Sequence, residues 1–180
     1  RMIISAIGLL PLLFLNKEPL PSGKEFLKIS FVGFLVALHW VLFYGAIKAS
    51  NVSIALSCFS SISLFTALLE PLSRKQKPKM AEVILGIAVI FGLYVIFSVQ
   101  QLYFTGILLA IGSAFLGAAF TVLNKKLTND YSPASITFFE LSTGFVVLSI
   151  LLPVYFHITG TQFEVPKTMD TVYLVLLGLV

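Results

Sequence analysis

Residues 104–123 read FTGILLAIGSAFLGAAFTVL. The stretch carries no charged side chain and no alternation of polar and apolar positions. At 1.5 Å per residue, about 20 residues make a helix about 30 Å long, the thickness of a bilayer's hydrocarbon core. A barrel strand would need only about ten residues, alternating in polarity. In hydrocarbon every backbone N–H and C=O must be bonded internally, and a helix does this within one segment. The stretch therefore predicts a membrane-spanning helix.

The same reading applied outward gives seven apolar segments: A (1–15), B (26–47), C (51–72), D (80–98), E (104–123), F (133–156) and G (171–180). Segments B to F have the length of a complete span, whereas A and G are shorter. The chain begins at Arg1 inside one apolar run and stops at Val180 inside another, so it is expected to be a piece of a longer protein. Composition agrees with a bilayer location. Of the 180 residues 58% are hydrophobic and 11% charged, against about a quarter charged in a soluble domain. So few charges cannot cover a water-facing surface. The expected fold class is an all-α membrane protein, a multi-spanning helical bundle.

Lys and Arg in the short connections fix the orientation. The A–B connection holds Lys17 and Lys24, with Lys28 just beyond; C–D holds Arg74, Lys75, Lys77 and Lys79; E–F holds Lys125 and Lys126. The opposite connections hold only Lys48 and Lys167. Nine against two places loops 16–25, 73–79 and 124–132 in the cytoplasm. The net charge of +4 follows this rule, which argues against a nucleic-acid partner. Cys58 allows no intrachain disulfide, and His39 and His157 lie too far apart for a metal-ligand spacing, so neither metal nor cofactor is expected. Along E, Gly106, Ala110, Ala114 and Ala118 recur every four residues, beside Ser113, Gly117 and Thr121. Such spacing lets helices approach closely. Packing within one bundle explains the stripe, and homodimerisation through it is the alternative.

The run Ala37-Leu38-His39-Trp40-Val41-Leu42-Phe43-Tyr44-Gly45-Ala46-Ile47-Lys48, followed by Asn51-Val52-Ser53-Ile54-Ala55, resembles the EamA family of the drug/metabolite transporter superfamily. So do Leu64 to Leu72, Leu85-Gly86 through Gly92-Leu93-Tyr94, and the opening of E at Gly106-Ile107-Leu108-Leu109-Ala110. The resemblance implies ten helices in two inverted five-helix repeats. Residues 1–98 would be the first repeat without its first helix, and 104–180 the second, cut after the start of its third. A then corresponds to F and B to G; Gly33-Phe34-Leu35-Val36 looks like Gly178-Leu179-Val180, and Arg1 falls near the place of Glu140. The activity implied is gradient-driven export of small metabolites by alternating access, in a bacterial inner membrane. The partners are then the lipid bilayer and a small solute. The other readings are a structural or partner-binding membrane protein and an intramembrane enzyme, which would need acids, bases or metal ligands clustered at one depth.

Candidate site residues are the polar groups inside spans. Glu140 lies seven residues into F, about 10 Å along the helix. An ionised carboxylate there costs up to about 2.5–3.5 kcal/mol, so it faces a cavity or a partner, as a proton-exchanging group or as a structural contact. His39 and Trp40 sit mid-way along B, and Gly33, Ala37, Trp40 and Tyr44 share one face. That face is either an aromatic pocket wall or packing, and His39 either a proton relay or a neutral bonded ring. On C, Ser57 and Ser60, with Ser53 and Ser61, form a stripe that lines a path or bonds to its own helix. Arg1 joins the set by its place in the family pattern. Glu70 is expected to pair with Arg74 at i+4, and Asn124 to cap the end of E.

Overall fold

Eight helices follow one another in the computed structural model, which describes residues 2–15, 21–77, 79–99, 103–160 and 167–179. They are α1 (Met2–Leu15), α2 (Gly23–Ala49), α3 (Val52–Phe59), α4 (Ile62–Ser73), α5 (Met80–Val99), α6 (Phe104–Leu127), α7 (Pro133–Thr159) and α8 (Thr168–Leu179). Among the described residues there is no strand. Five spans have the length and apolarity to cross a membrane: Gly23–Ala49, Val52–Ser73, Met80–Ser98, Phe104–Leu127 and Pro133–Ile158. The chain is an all-α, multi-span membrane protein.

Local chemistry sets the helix ends. At the tight turn after α2, the Asn51 side chain accepts from the Ile54 N–H at 3.0 Å and starts α3. Ser132 caps α7 by accepting from Ser135 N, and Pro133 takes the first helical position, where no N–H is needed. Gly160 closes α7 at φ 65°, a left-handed cap that donates to Phe156 O.

Segment C departs from the single uniform span expected of it. It breaks at Ser60–Ser61 into α3 and α4. The cause is the serine run. The hydroxyls of Ser60, Ser61 and Ser63 donate three residues back to Ser57 O, Cys58 O and Ser60 O, and the Ser61 N–H also bonds to Cys58 O. Three-residue bonding tightens the turn and interrupts the regular ladder. Asn124 also differs: α6 continues to Leu127, so Asn124 lies within its last turns rather than at its cap.

The chain divides into two compact units, residues 1–37 with 127–180 and residues 38–126. In the first, α1 packs on α7 and α8. Ala6, Ile29, Val32, Val36 and Ile136 are buried there, and Ser5 Oγ donates to Gly178 O at 2.7 Å. In the second, Ala46, Ile54, Ala55, Cys58, Ile107 and Ala110 form the core. The stripe Gly106, Ala110, Ala114 and Ala118 is buried within this unit, against α2 at its Gly106 end. A Cβ on Gly106 would stand 2.5 Å from Ser50 Cβ, so only glycine admits the α2 terminus there. Large apolar side chains elsewhere face outward. Ile84, Leu85, Phe91 and Tyr94 on α5 and Ile150 and Ile158 on α7 are exposed, a surface suited to lipid rather than water.

Contacts between helix ends match the alternation of the charges. Glu70 at the end of α4 pairs with Lys125 at the end of α6 and, at 3.7 Å, with Arg74. The Arg74 pairing was expected; Lys125 is the closer partner. In the other unit the Tyr131 phenol bonds to Glu25 at the start of α2. Burial and the adjacent Glu25 carboxylate hold that phenol above the usual tyrosine range. Each contact joins connections that the Lys and Arg count puts on one side.

Candidate functional site

Glu140 is the one carboxylate among the buried polar residues of the described chain, at 5% exposure. α7 carries it to a place where α2 passes close by. A Cβ on Gly33 would lie 2.7 Å from Glu140 O and 2.9 Å from Thr143 Cβ. The lack of a side chain at Gly33 is therefore what lets α2 seat against this turn of α7. One turn on, Gly144 lies 3.4 Å, measured from its own Cβ position, from Gly33 O, with the Met2 sulfur at 3.3 Å. Thr143 Oγ1 and Ser30 Oγ meet at 3.4 Å beside the carboxylate's turn, and Ser135 is buried one turn earlier. A carboxyl group among hydroxyls and glycines, inside an otherwise apolar unit, can hold a proton or a cationic group.

The second cluster belongs to the other unit. His39 on α2 is buried, and its Nδ1 lies 2.9 Å from both the carbonyl oxygen and the hydroxyl of Ser113 on α6. The Ser113 hydroxyl donates in turn to His39 O at 3.0 Å. Gly117, one turn along α6, makes room for Ile62: a Cβ there would stand 2.7 Å from Ile62 Cδ1 and in ordinary contact, 3.6 Å, with the imidazole. Rings surround the histidine. Trp40 and Phe120 meet it edge-on at 5.5 Å, Phe59 is tilted at 5.4 Å, and Phe43 is stacked at 6.3 Å. Trp40 stacks on Tyr44 at 5.5 Å, while Tyr44 itself is exposed.

Ser57 and Ser60 line a cleft of about 390 Å³ with Val89, Gly92, Leu93 and Ile96 of α5. The Ser60 hydroxyl is bonded to its own helix, donating to Ser57 O, while Ser60 lines the cleft.

The structure thus brings together His39, Trp40 and Tyr44, and separately Ser57 and Ser60. Glu140 is built into the other unit, and Arg1 lies outside the described residues. The face Gly33, Ala37, Trp40, Tyr44 does not act as one wall: Gly33 serves the Glu140 contact, and Trp40 and Tyr44 the aromatic cluster. Sequence reading named Ser113 only as part of a small-residue stripe. Its role as the histidine's partner was visible in retrospect as a hydroxyl amid glycines and alanines, the residue types that let a polar group reach a neighbouring helix. Phe43, Phe59 and Phe120 carried no such signal among 17 Phe residues.

Comparison with known proteins agrees with this architecture. Residues 1–98 match the EamA-like transporter family. The chain is 28% identical over 133 residues to a protein of Bacillus subtilis (strain 168) named "Uncharacterized transporter YxxF". The alignment covers 71% of this chain and 42% of that protein, so the chain spans less than half the length of the relative it matches. No solved structure matches significantly.

Proposed function

Because the chain belongs to the EamA-like transporter family, we propose that it forms part of a gradient-driven exporter of small metabolites that works by alternating access. Glu140 carries this reading. A carboxylate buried about 10 Å along a spanning helix is costly, and such groups mark solute or proton pathways in membrane proteins.

The repeat arrangement, with residues 1–98 and 104–180 as inverted copies, draws support from one unit of the fold. If Arg1 stands where Glu140 stands, Ser5 stands where Gly144 does. If Gly33 stands where Gly178 stands, the α2–α7 crossing has a counterpart between α8 and α1. Both crossings are present. Gly33 O faces Gly144, and Gly178 O faces Ser5. On that correspondence the same carbonyl meets the same helix position twice, which supports the reading. A pseudo-two-fold axis in the membrane plane does this in inverted-repeat transporters, whose solute sites lie near the midplane. The loops that the charge count puts in the cytoplasm, and a location in a bacterial inner membrane, complete the reading.

The test is uptake by proteoliposomes holding the intact protein, screened with radiolabelled amino acids, sugars and organic cations. Wild type is expected to move at least one class. Glu140→Gln keeps the side chain's shape and removes its charge; it is expected to abolish that flux while expression and thermal melting stay at wild-type values. Unchanged flux in this variant would remove Glu140 from the pathway.

A further inference from the structure

The His39 ring is held in one chemical form. A carbonyl oxygen can only accept, so Nδ1, 2.9 Å from Ser113 O, carries a hydrogen. The Ser113 hydroxyl spends its own hydrogen on His39 O and so presents a lone pair to Nδ1 as well. The neutral ring is therefore the Nδ1–H tautomer, and its basic lone pair lies on Nε2. Among the described residues Nε2 makes no hydrogen bond. The groups facing the ring are Trp40 and Phe43 from α2, Phe59 from α3, and Ser113, Gly117 and Phe120 from α6. None of them is charged, and Ser113 supplies the polar contact.

On the transporter reading above, we infer that His39 is a proton-binding site of the membrane domain, with Nε2 as the atom that takes the proton. Hydronium gives its proton to the Nε2 lone pair and leaves as water. One N–H bond forms, one O–H bond breaks, and the positive charge passes to the ring. The imidazolium returns the proton by the reverse step. In the charged ring both nitrogens are donors. The Ser113 oxygens already accept at Nδ1, so proton uptake needs no rotation of α6. A histidine serving only as a structural tie between α2 and α6 would need Nδ1 alone.

Two measurements on the intact, detergent-solubilised protein test the site, with the proton itself as probe. The first is nitrogen NMR of ¹⁵N-histidine-labelled protein, assigned against His157→Gln. His39 is expected to show a protonated Nδ1 and a bare Nε2 at alkaline pH. On acidification both nitrogens become protonated while the helical circular dichroism is unchanged. A ring protonated at Nε2 in the neutral form, or one that never gains a second proton before the helices melt, overturns the inference. The second is potentiometric titration of wild type against His39→Asn. Asparagine offers an N–H near the place of Nδ1–H and has no base at the place of Nε2. The variant is expected to melt like wild type and to bind one proton fewer per chain on acid titration of the folded protein. Equal uptake by the two proteins overturns the site. Neither measurement needs solute flux, so a protein that transports nothing in liposomes would fail the transport reading alone.

Discussion

Replacing Gly33 by alanine tests the geometry that seats Glu140. The new methyl carbon would stand 2.7 Å from Glu140 O, 2.9 Å from Thr143 Cβ and 3.1 Å from Glu140 Cα. Two of these three are backbone atoms of α7, which cannot rotate away, so α2 and α7 must separate. Overpacking of this kind costs about 1–3 kcal/mol. Alanine also improves helix propensity over glycine by up to about 1 kcal/mol. Gly92→Ala isolates that second effect, because a Cβ on Gly92 meets nothing within 4 Å. The difference in unfolding free energy between the two variants is therefore expected to be about 1–3 kcal/mol, with Gly33→Ala the less stable. Both can be read from reversible unfolding in mixed micelles, followed by circular dichroism. Gly33→Ala should also lower flux, since the turn bearing Glu140 is displaced. Equal stabilities would show that α2 and α7 do not cross as closely as described, and the account of Glu140's burial would fall with them.

Two further outcomes follow from the termini and connections. Asn51→Ala removes the acceptor for the Ile54 N–H and is expected to destabilise the fold by about 0.5–2 kcal/mol in the same assay, whereas Asn51→Ser or Asn51→Asp should recover most of it. Tyr131 titrates with a definite sign. Its phenol is raised in the folded state by burial and by Glu25, so the folded protein holds that proton more tightly than the unfolded chain. This contribution is fully present below about pH 10, the unfolded tyrosine value, and is lost as pH rises through the higher folded one. The stability advantage of wild type over Tyr131→Phe should shrink above that pH and stay level below it; an advantage that grew with alkalinity would reverse the assignment.

Much of the candidate site was legible in the chain because a bilayer makes polar residues conspicuous. Glu140 stood out as a carboxylate in a long apolar run, and the structure buries it. His39 stood out for the same reason. Its partner did not, since a serine inside a spanning helix most often bonds to its own backbone, as Ser60, Ser61 and Ser63 do here. Lys125 was read as an orientation signal and is also the closer partner of Glu70. Charge counting weighs a lysine by its side of the membrane and takes no account of which helix end lies beside it.

The sequence by itself determined the all-α, multi-span class and which five segments have the length and apolarity to cross a membrane. Each of these depends on one segment at a time: its length against the hydrocarbon thickness and its apolarity. Only the tertiary structure decided that Gly33 admits the backbone of Glu140's turn and that Ser113 fixes the tautomer of His39. Those facts depend on atoms brought together from helices far apart in the chain. Close packing selects such contacts by shape at the scale of a single methyl group, and apolar patterning carries no record of it.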